Sequence, residues 1–259
     1  MLRHIWLHVE YLRVAINTAL EYRINFIIQV LSMMINDLIW IIFWLLFFNK
    51  FSAVGGWNFS DVIVMYAVIT MAYGISGFLF GNRNYVASVI VEGRLDFYLT
   101  LPKNILHHLL ISKSAWYDLG DMMFGILLSI IFIPVAKFPL LLVLVMFSAI
   151  IFTTFSVIAG SLAFYLGNSE QLTKTLLESV VGLSSYPINI YKGFTRILIF
   201  FVIPAGFISG VPVELLRQFN ILWFIYLIGF TILITAVSIA VFYYGLKKYE
   251  SGNLLYVRM

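Results

Sequence analysis

Long apolar runs divided by short polar or Gly/Pro breaks set the pattern of this chain. Ile24–Phe48 is interrupted only by Asn25, Gln29, Ser32, Asn36 and Asp37. Val62–Phe80 is the second run, and Trp116–Val135 the third, with Asp118 and Asp121 in its first turns. Phe138–Leu166 is the fourth, long enough to tilt. Ile221–Tyr244 is the last and carries no charge. Gly55-Gly56, Pro134–Pro139 and Gly167-Asn168 fall between runs. A hydrocarbon core about 30 Å thick needs roughly 20 residues of helix, so each run predicts a helix that crosses a bilayer.

The stretch Ser169–Asn220 admits two paths. Glu170–Ser185 is a weakly apolar helical pattern containing Lys174 and Glu178, and Phe194–Val213 is strongly apolar but cut by Pro204, Gly206, Gly210 and Pro212. On the first path Glu170–Tyr186 is the fifth span and residues 194–213 dip into the outer face as a broken hairpin. On the second, Glu170–Tyr191 lies on the inner surface and Phe194–Gly210 is the fifth span. Non-helical backbone at membrane depth is tolerated only within protein or beside water. Both paths predict six spans with the termini on one side. With the N-terminus inside, the first path places eleven of the sixteen Lys and Arg residues inside and five outside; the second moves Lys192 and Arg196 inside and makes it thirteen to three. The positive-inside bias therefore prefers the second path.

In residues 1–23, Ile5, Val9, Leu12, Ile16 and Leu20 recur at helical spacing while Arg3, Glu10, Arg13, Asn17 and Glu21 take other faces. There is no continuous apolar core as in a signal peptide. The pattern predicts an amphipathic helix along the inner interface, with Trp6 and Tyr11 suited to the headgroup zone. Composition agrees with the spans. The 259 residues are 62% hydrophobic and 11% charged, and the mean hydropathy is +1.00, whereas a soluble domain carries about 25% charged residues. An ordinary soluble enzyme and a disulfide scaffold are excluded, since Cys is absent. The net charge of +4 is spread over segment ends, so it reads as topology and not as nucleic-acid binding. The expectation is an all-α integral membrane protein forming a single domain over 1–259.

The candidate chemistry is sparse. No phosphate-cradling G-x-x-x-x-G-K-[ST] occurs. His4, His8, His107 and His108 all fall near the predicted inner surface, where interfacial polarity accounts for them better than a metal. Asn58-Phe59-Ser60 fits a glycosylation sequon of low specificity. The intramembrane polar residues Asn36, Asp37, Asp118, Asp121 and Glu178 say more, because buried ionisable groups face a cavity or a partner; Lys174 and Glu178 are placed to pair at i,i+4. The inner loop 81–112 is organised. Tyr85–Val91, containing Val89, reads as a short helix that Glu92-Gly93 ends, and Arg94-Leu95-Asp96-Phe97-Tyr98-Leu99 then mixes charged and apolar residues before Pro102. A loop exposing Tyr, Phe and Leu beside Arg and Asp predicts a docking surface for another protein.

Three stretches resemble the permease subunits of bacterial type-2 ABC exporters, in the branch with paired permeases and a separate ATPase. Residues 92–102, Glu-Gly-Arg-Leu-Asp-Phe-Tyr-Leu-Thr-Leu-Pro, resemble the family's inner-loop G-x-L-D-x-x-L-x-x-P. Tyr186-Pro187-Ile188-Asn189-Ile190-Tyr191 is followed by residues 201–207 and Val211-Pro212, and the tail is Gly245-Leu246-Lys247-Lys248-Tyr249-Glu250-Ser251. The resemblance implies two permeases, paralogous or identical, with two ATPase copies in the bacterial inner membrane, and both termini cytoplasmic. ATP and Mg would sit on the ATPase, with no cofactor in this chain. It assigns coupling to Tyr85, Val89, Glu92, Gly93, Arg94, Leu95, Asp96 and Phe97. It also implies a re-entrant outer hairpin over 194–213, with breaks at Pro187, Pro204, Gly206 and Pro212, which favours the first path against the Lys/Arg count. It leaves the substrate open; an apolar or amphipathic cargo would suit spans rich in Phe, Met, Leu and Ile. Two rivals stand beside it. One is an ion-coupled secondary transporter using Asp37, Asp118 and Asp121, which an inverted repeat would support; none is visible. The other is an intramembrane enzyme, which would need a mid-span catalytic cluster where only isolated acids occur.

Overall fold

A computed structural model describes residues 2–250, with side chains from residue 6 onward. Ser251 of the tail stretch and Arg258 lie outside the described residues. Among the described residues the regular structure is helical, apart from an isolated bridge between Val54 and Trp57. Helix α1 spans Leu2–Glu21, α2 Arg23–Phe48 and α3 Phe59–Leu79. Three short helices follow, α4 Val86–Val91, α5 Leu95–Leu99 and α6 Ile105–Ile111. Then come α7 Leu119–Phe132, α8 Phe138–Ser161, α9 Ala163–Leu166, α10 Glu170–Ser184, α11 Phe194–Ile197, α12 Val211–Arg217 and α13 Ile221–Leu246.

Four segments are long and apolar enough to cross a membrane: α2, α3, α8 with its short flanks, and α13. Two bent pairs bring the number to as many as six, α6 with α7 at 66° and residues 194–202 with 206–217 at 79°. Helix α3 is the axis of the bundle and is enclosed by α7, α8 and α12, whereas α2 and α13 keep most of their apolar surface outward. Glycines permit the closest approaches. A Cβ on Gly74 would lie 2.6 Å from the Met122 backbone nitrogen, and one on Gly125 2.8 Å from the Ala67 carbonyl oxygen. Small residues let apolar helices meet backbone to backbone, where dispersion and not water drives packing.

The loops sort to two ends. At one, Trp57 Nε1 donates to Glu214 at 2.8 Å, Arg217 pairs with Asp61 at 3.1 Å, Lys137 Nζ donates to the Leu216 carbonyl, and Gly55 abuts Asn189. This hairpin end gathers the α2–α3 loop, the α7–α8 loop, residues 186–193 and the close of α12. At the other, the loop end, α1 meets the last residue of α3 through His8 and the Leu79 carbonyl oxygen, 2.9 Å apart, and Thr173 donates to the Ala159 carbonyl at 3.1 Å. Helix α10 starts at the loop end, just after Gly167 with its φ of 69°, and ends deep in the bundle, where Ser209 Oγ donates to the Ser184 carbonyl at 2.8 Å. Residues 185–193 then carry the chain on to the hairpin end, where Asn189 abuts Gly55. The low apolarity of α10 has a cause: Glu170, Lys174, Glu178 and Gly182 form a stripe facing a cavity, while Val180 is buried in the core.

Phe194–Arg217 leaves from the hairpin end and returns to it. Its turn reaches Ser148, whose Oγ donates to the Ile208 carbonyl at 2.7 Å, and Phe230, stacked on Phe207 at 4.1 Å. Ser148 is ten residues into α8, about 15 Å at 1.5 Å per residue, so the segment penetrates roughly half of a bilayer core. The folded-back segment runs on through α12 to Arg217, past residue 213. Pro204 is at the bend, Pro187 precedes a short turn at Ile188–Ile190, and Pro212 lies where the π-helical turn at 206–210 runs on into α12; the Ile208 carbonyl four residues before it accepts from Ser148 instead. Gly206 admits the Phe200 ring, 3.0 Å from where its Cβ would be. π-Helical turns at 198–202 and 206–210 absorb the break in backbone hydrogen bonding within protein.

Candidate functional site: a polar cavity and a helical cap

The segment 81–112 folds as a cap. Val86, Val89, Ile90, Leu95, Tyr98, Leu106 and Leu109 form a second apolar core that continues onto Val157, Ala163 and Phe242 of the spans. Gly93, with φ 71°, ends α4 as the sequence predicts. Burial divides the expected coupling residues. Val89, Gly93 and Leu95 are inside, and Tyr85 is half-buried with Lys113 Nζ 3.7 Å above its ring. Tyr98, expected at the surface, is buried: its hydroxyl bonds Ser112 Oγ at 2.8 Å. Glu92, Arg94, Phe97 and Leu99 remain exposed, Glu92 and Arg94 pairing at 2.6 Å. Asp96 is half-buried and lies beside the Tyr249 phenol, whose pKa is pushed up to about 12 by burial first and by this carboxylate second. Helix α6 belongs to the cap by packing and turns away from α7 through 66°.

A strut fastens this cap to the spans. Arg83 and Asp118 are both fully buried, with Nη2 and Oδ2 3.9 Å apart. The guanidinium lies 4.7 Å from the Tyr73 ring centre and 4.8 Å from that of Phe152, and Nη1 donates to Asn84 at 2.9 Å. Gly77 makes room for the acid, since a Cβ there would come within 1.5 Å of Asp118 Oδ2. The cap closes onto the strut through Ser114 Oγ, donating to the Phe78 carbonyl at 2.6 Å, and the Ala115 N–H, donating to Gly77 at 3.0 Å. Sequence reading named Asp118 but missed Arg83. The available signal was a lone arginine at the end of an apolar run, and its partner is 35 positions away.

Beside the strut a cavity of about 840 Å³ opens between α2, α3, α7 and α10. Asn36, Asp37 and Trp40 come from α2, Tyr66, Thr70 and Tyr73 from α3, and Asp121 from α7. Helix α10 adds Glu170, Lys174 and Glu178, with Lys174 and Glu178 3.9 Å apart and both largely exposed. Arg83 contributes at the loop end. Asp37 and Asp121 meet at the wall, the only acids of the set brought into mutual contact. Asn36 stays exposed and Asp118 lies behind the wall on Arg83. Among the described residues, no three His, Asp or Glu side chains gather as a metal site. Asn58 of the sequon caps α3, its Oδ1 accepting from the Asp61 N–H at 3.0 Å.

Comparison with known proteins adds one finding. Neither curated proteins nor solved structures return a match. The model of the ABC-2 family transporter proteins matches residues 31–252, from within α2 through α13, with the cap, the cavity and the hairpin. A multi-pass helical bundle with that match over most of its length belongs to the ABC-2 transporter family, as a membrane permease of an ABC transporter.

Proposed function

We propose that this chain is the membrane subunit of an ATP-driven exporter, that it forms the translocation path with a second permease, and that it is driven by a separate ATPase docked on the cap. One observation carries the reading: the exposed Glu92–Leu99 surface sits on a cap with its own core, and that cap is joined to the cavity wall by the buried Arg83–Asp118 strut. A handle with a packed interior moves as a body, and because Arg83 also lines the cavity, displacement of the cap reaches the path directly. ATP binding drives transport only if it discriminates between two states of the spans. On this reading the loop end and both chain termini are cytoplasmic, the hairpin end is external, and the membrane is a bacterial inner membrane.

The test is co-purification from native membranes. R94E combined with F97A changes only exposed side chains. The complex should lose its ATPase subunit, with ATP hydrolysis in the eluate falling at least about tenfold, as expected when a desolvated charged and aromatic contact is removed. The yield and melting temperature of the permease itself should be unchanged. ATPase recovery equal to wild type would remove the docking role from the cap.

A further inference from the structure

The cavity wall brings two acids together. The carboxyl groups of Asp37 and Asp121 touch, and two carboxylates in contact repel unless a proton or a cation lies between them. Asp121 is 93% buried by its 7% exposure, and Asp37 Oδ2 is buried with no hydrogen-bond partner. A structural pair would have a base within reach. Arg83, whose field extends to Asp121, is committed to Asp118, Tyr73, Phe152 and Asn84, and Lys174 is engaged with Glu178. The wall beside the two acids is aromatic, with Trp40 stacked on Tyr66 at 6.5 Å, and the space is large enough for an organic molecule. Of the two rings Trp40 is the exposed one, and carboxylates next to an exposed aromatic ring bind organic cations, by charge and by the ring quadrupole together.

We infer that the cavity binds a cationic amphiphile, its positive centre held between Asp37 and Asp121 and its apolar body against Trp40. This deepens the permease reading by naming the class of cargo, and it rests on that reading for the claim that the ligand is carried across. Anionic cargo would meet two acids on the wall and Glu170 at the mouth, while the lining bases Arg83 and Lys174 face Asp118 and Glu178. A wholly apolar cargo would leave the two acids to share a proton and would gain nothing from their charge.

The probe is tetraphenylphosphonium, a permanent, delocalised cation. Equilibrium dialysis of the full-length chain in detergent, with empty micelles subtracted, should show saturable binding without any ATPase present. D37N and D121N should each weaken it by about tenfold or more, while D37E and D121E, which keep the charge, should stay within about threefold of wild type. Tetraphenylborate, similar in shape and opposite in charge, should show no saturable binding. Wild-type protein that does not bind the cation, borate bound as tightly as phosphonium, or Glu variants that lose as much as Asn variants would each overturn the site. Because the measurement omits the ATPase, binding retained in a chain that fails the co-purification test would uphold the cation site while the export reading falls.

Discussion

At the scale of single residues, the Arg83–Asp118 pair is where burial and charge meet most sharply. Removing one member of a buried ion pair leaves the other charged in a low-dielectric interior. R83Q or D118N should each destabilise the detergent-purified chain by about 3–5 kcal/mol, read as a fall in melting temperature. The double variant R83Q/D118N should recover part of that loss, because two neutral amides of similar shape need no counter-charge. Additive single effects in the double-mutant cycle would show that the two side chains do not act as a pair. The same site shows the limit of sequence reading. Asp118 stands out in an apolar run, but nothing local to it announces an arginine from the far side of the cap, nor a glycine, Gly77, that opens its seat.

Among elements, the contact between α1 and the cap carries a group whose charge depends on pH. The Tyr11 hydroxyl lies 2.8 Å from His108 Nε2, and His108 packs against the rings of Phe97 and Tyr98. Burial, and then the nearby Lys103 charge, lower the His108 pKa below its ordinary 6.5. The folded protein thus favours the neutral ring. Its contribution is complete above the unfolded value and is lost as pH falls through the folded one. Acidification from about pH 7.5 to about 5.5 should lower the melting temperature of wild type more than that of H108Q, which cannot titrate. Equal losses in the two proteins would place the acid sensitivity elsewhere. The amphipathic pattern of α1 was legible in the sequence. Its partner was not, because α1 docks on a helix about a hundred residues further on, and only packing chooses that surface.

For the whole molecule the decisive feature is which end each loop occupies. Residues 186–193 and the α2–α3 loop share one end, and the charge count prefers the opposite arrangement. The chain has no native cysteine, so single cysteines report cleanly. K192C and R196C, both at exposed positions, should react with a membrane-impermeant thiol reagent in intact spheroplasts to the same extent as S52C in the α2–α3 loop. R94C in the cap should react only once the membrane is opened. If K192C and R196C follow R94C, Phe194–Arg217 crosses the membrane and the hairpin is wrong. Five outward cations are compatible with the hairpin, since the positive-inside rule is a bias in insertion and not a bar on any one residue.

The spans α2, α3, α7, α8 and α13 were readable from the chain alone, because a helix that faces lipid or packs among apolar helices must be apolar over a length set by the bilayer. The end of α4 at Gly93 was readable too, since only a residue without Cβ takes that conformation easily. The family resemblance was carried by local stretches and survives in the match over residues 31–252. The course of Glu170–Arg217 was left open by periodicity and charge. A helix that lines a polar cavity gives up the apolarity by which spans are recognised, and a hairpin buried among its neighbours keeps it without crossing. Those two signals exchanged places, and the tertiary contacts separate them: Thr173 at one end, Asn189 against Gly55 at the other, and Ser184 and Ser148 halfway down against Ser209 and Ile208. The same holds for the site. Sequence marks Asp37 and Asp121 as costly residues, but their meeting depends on how α2 and α7 pack, a relation set by side-chain and backbone fit over the whole bundle and not by any spacing along the chain.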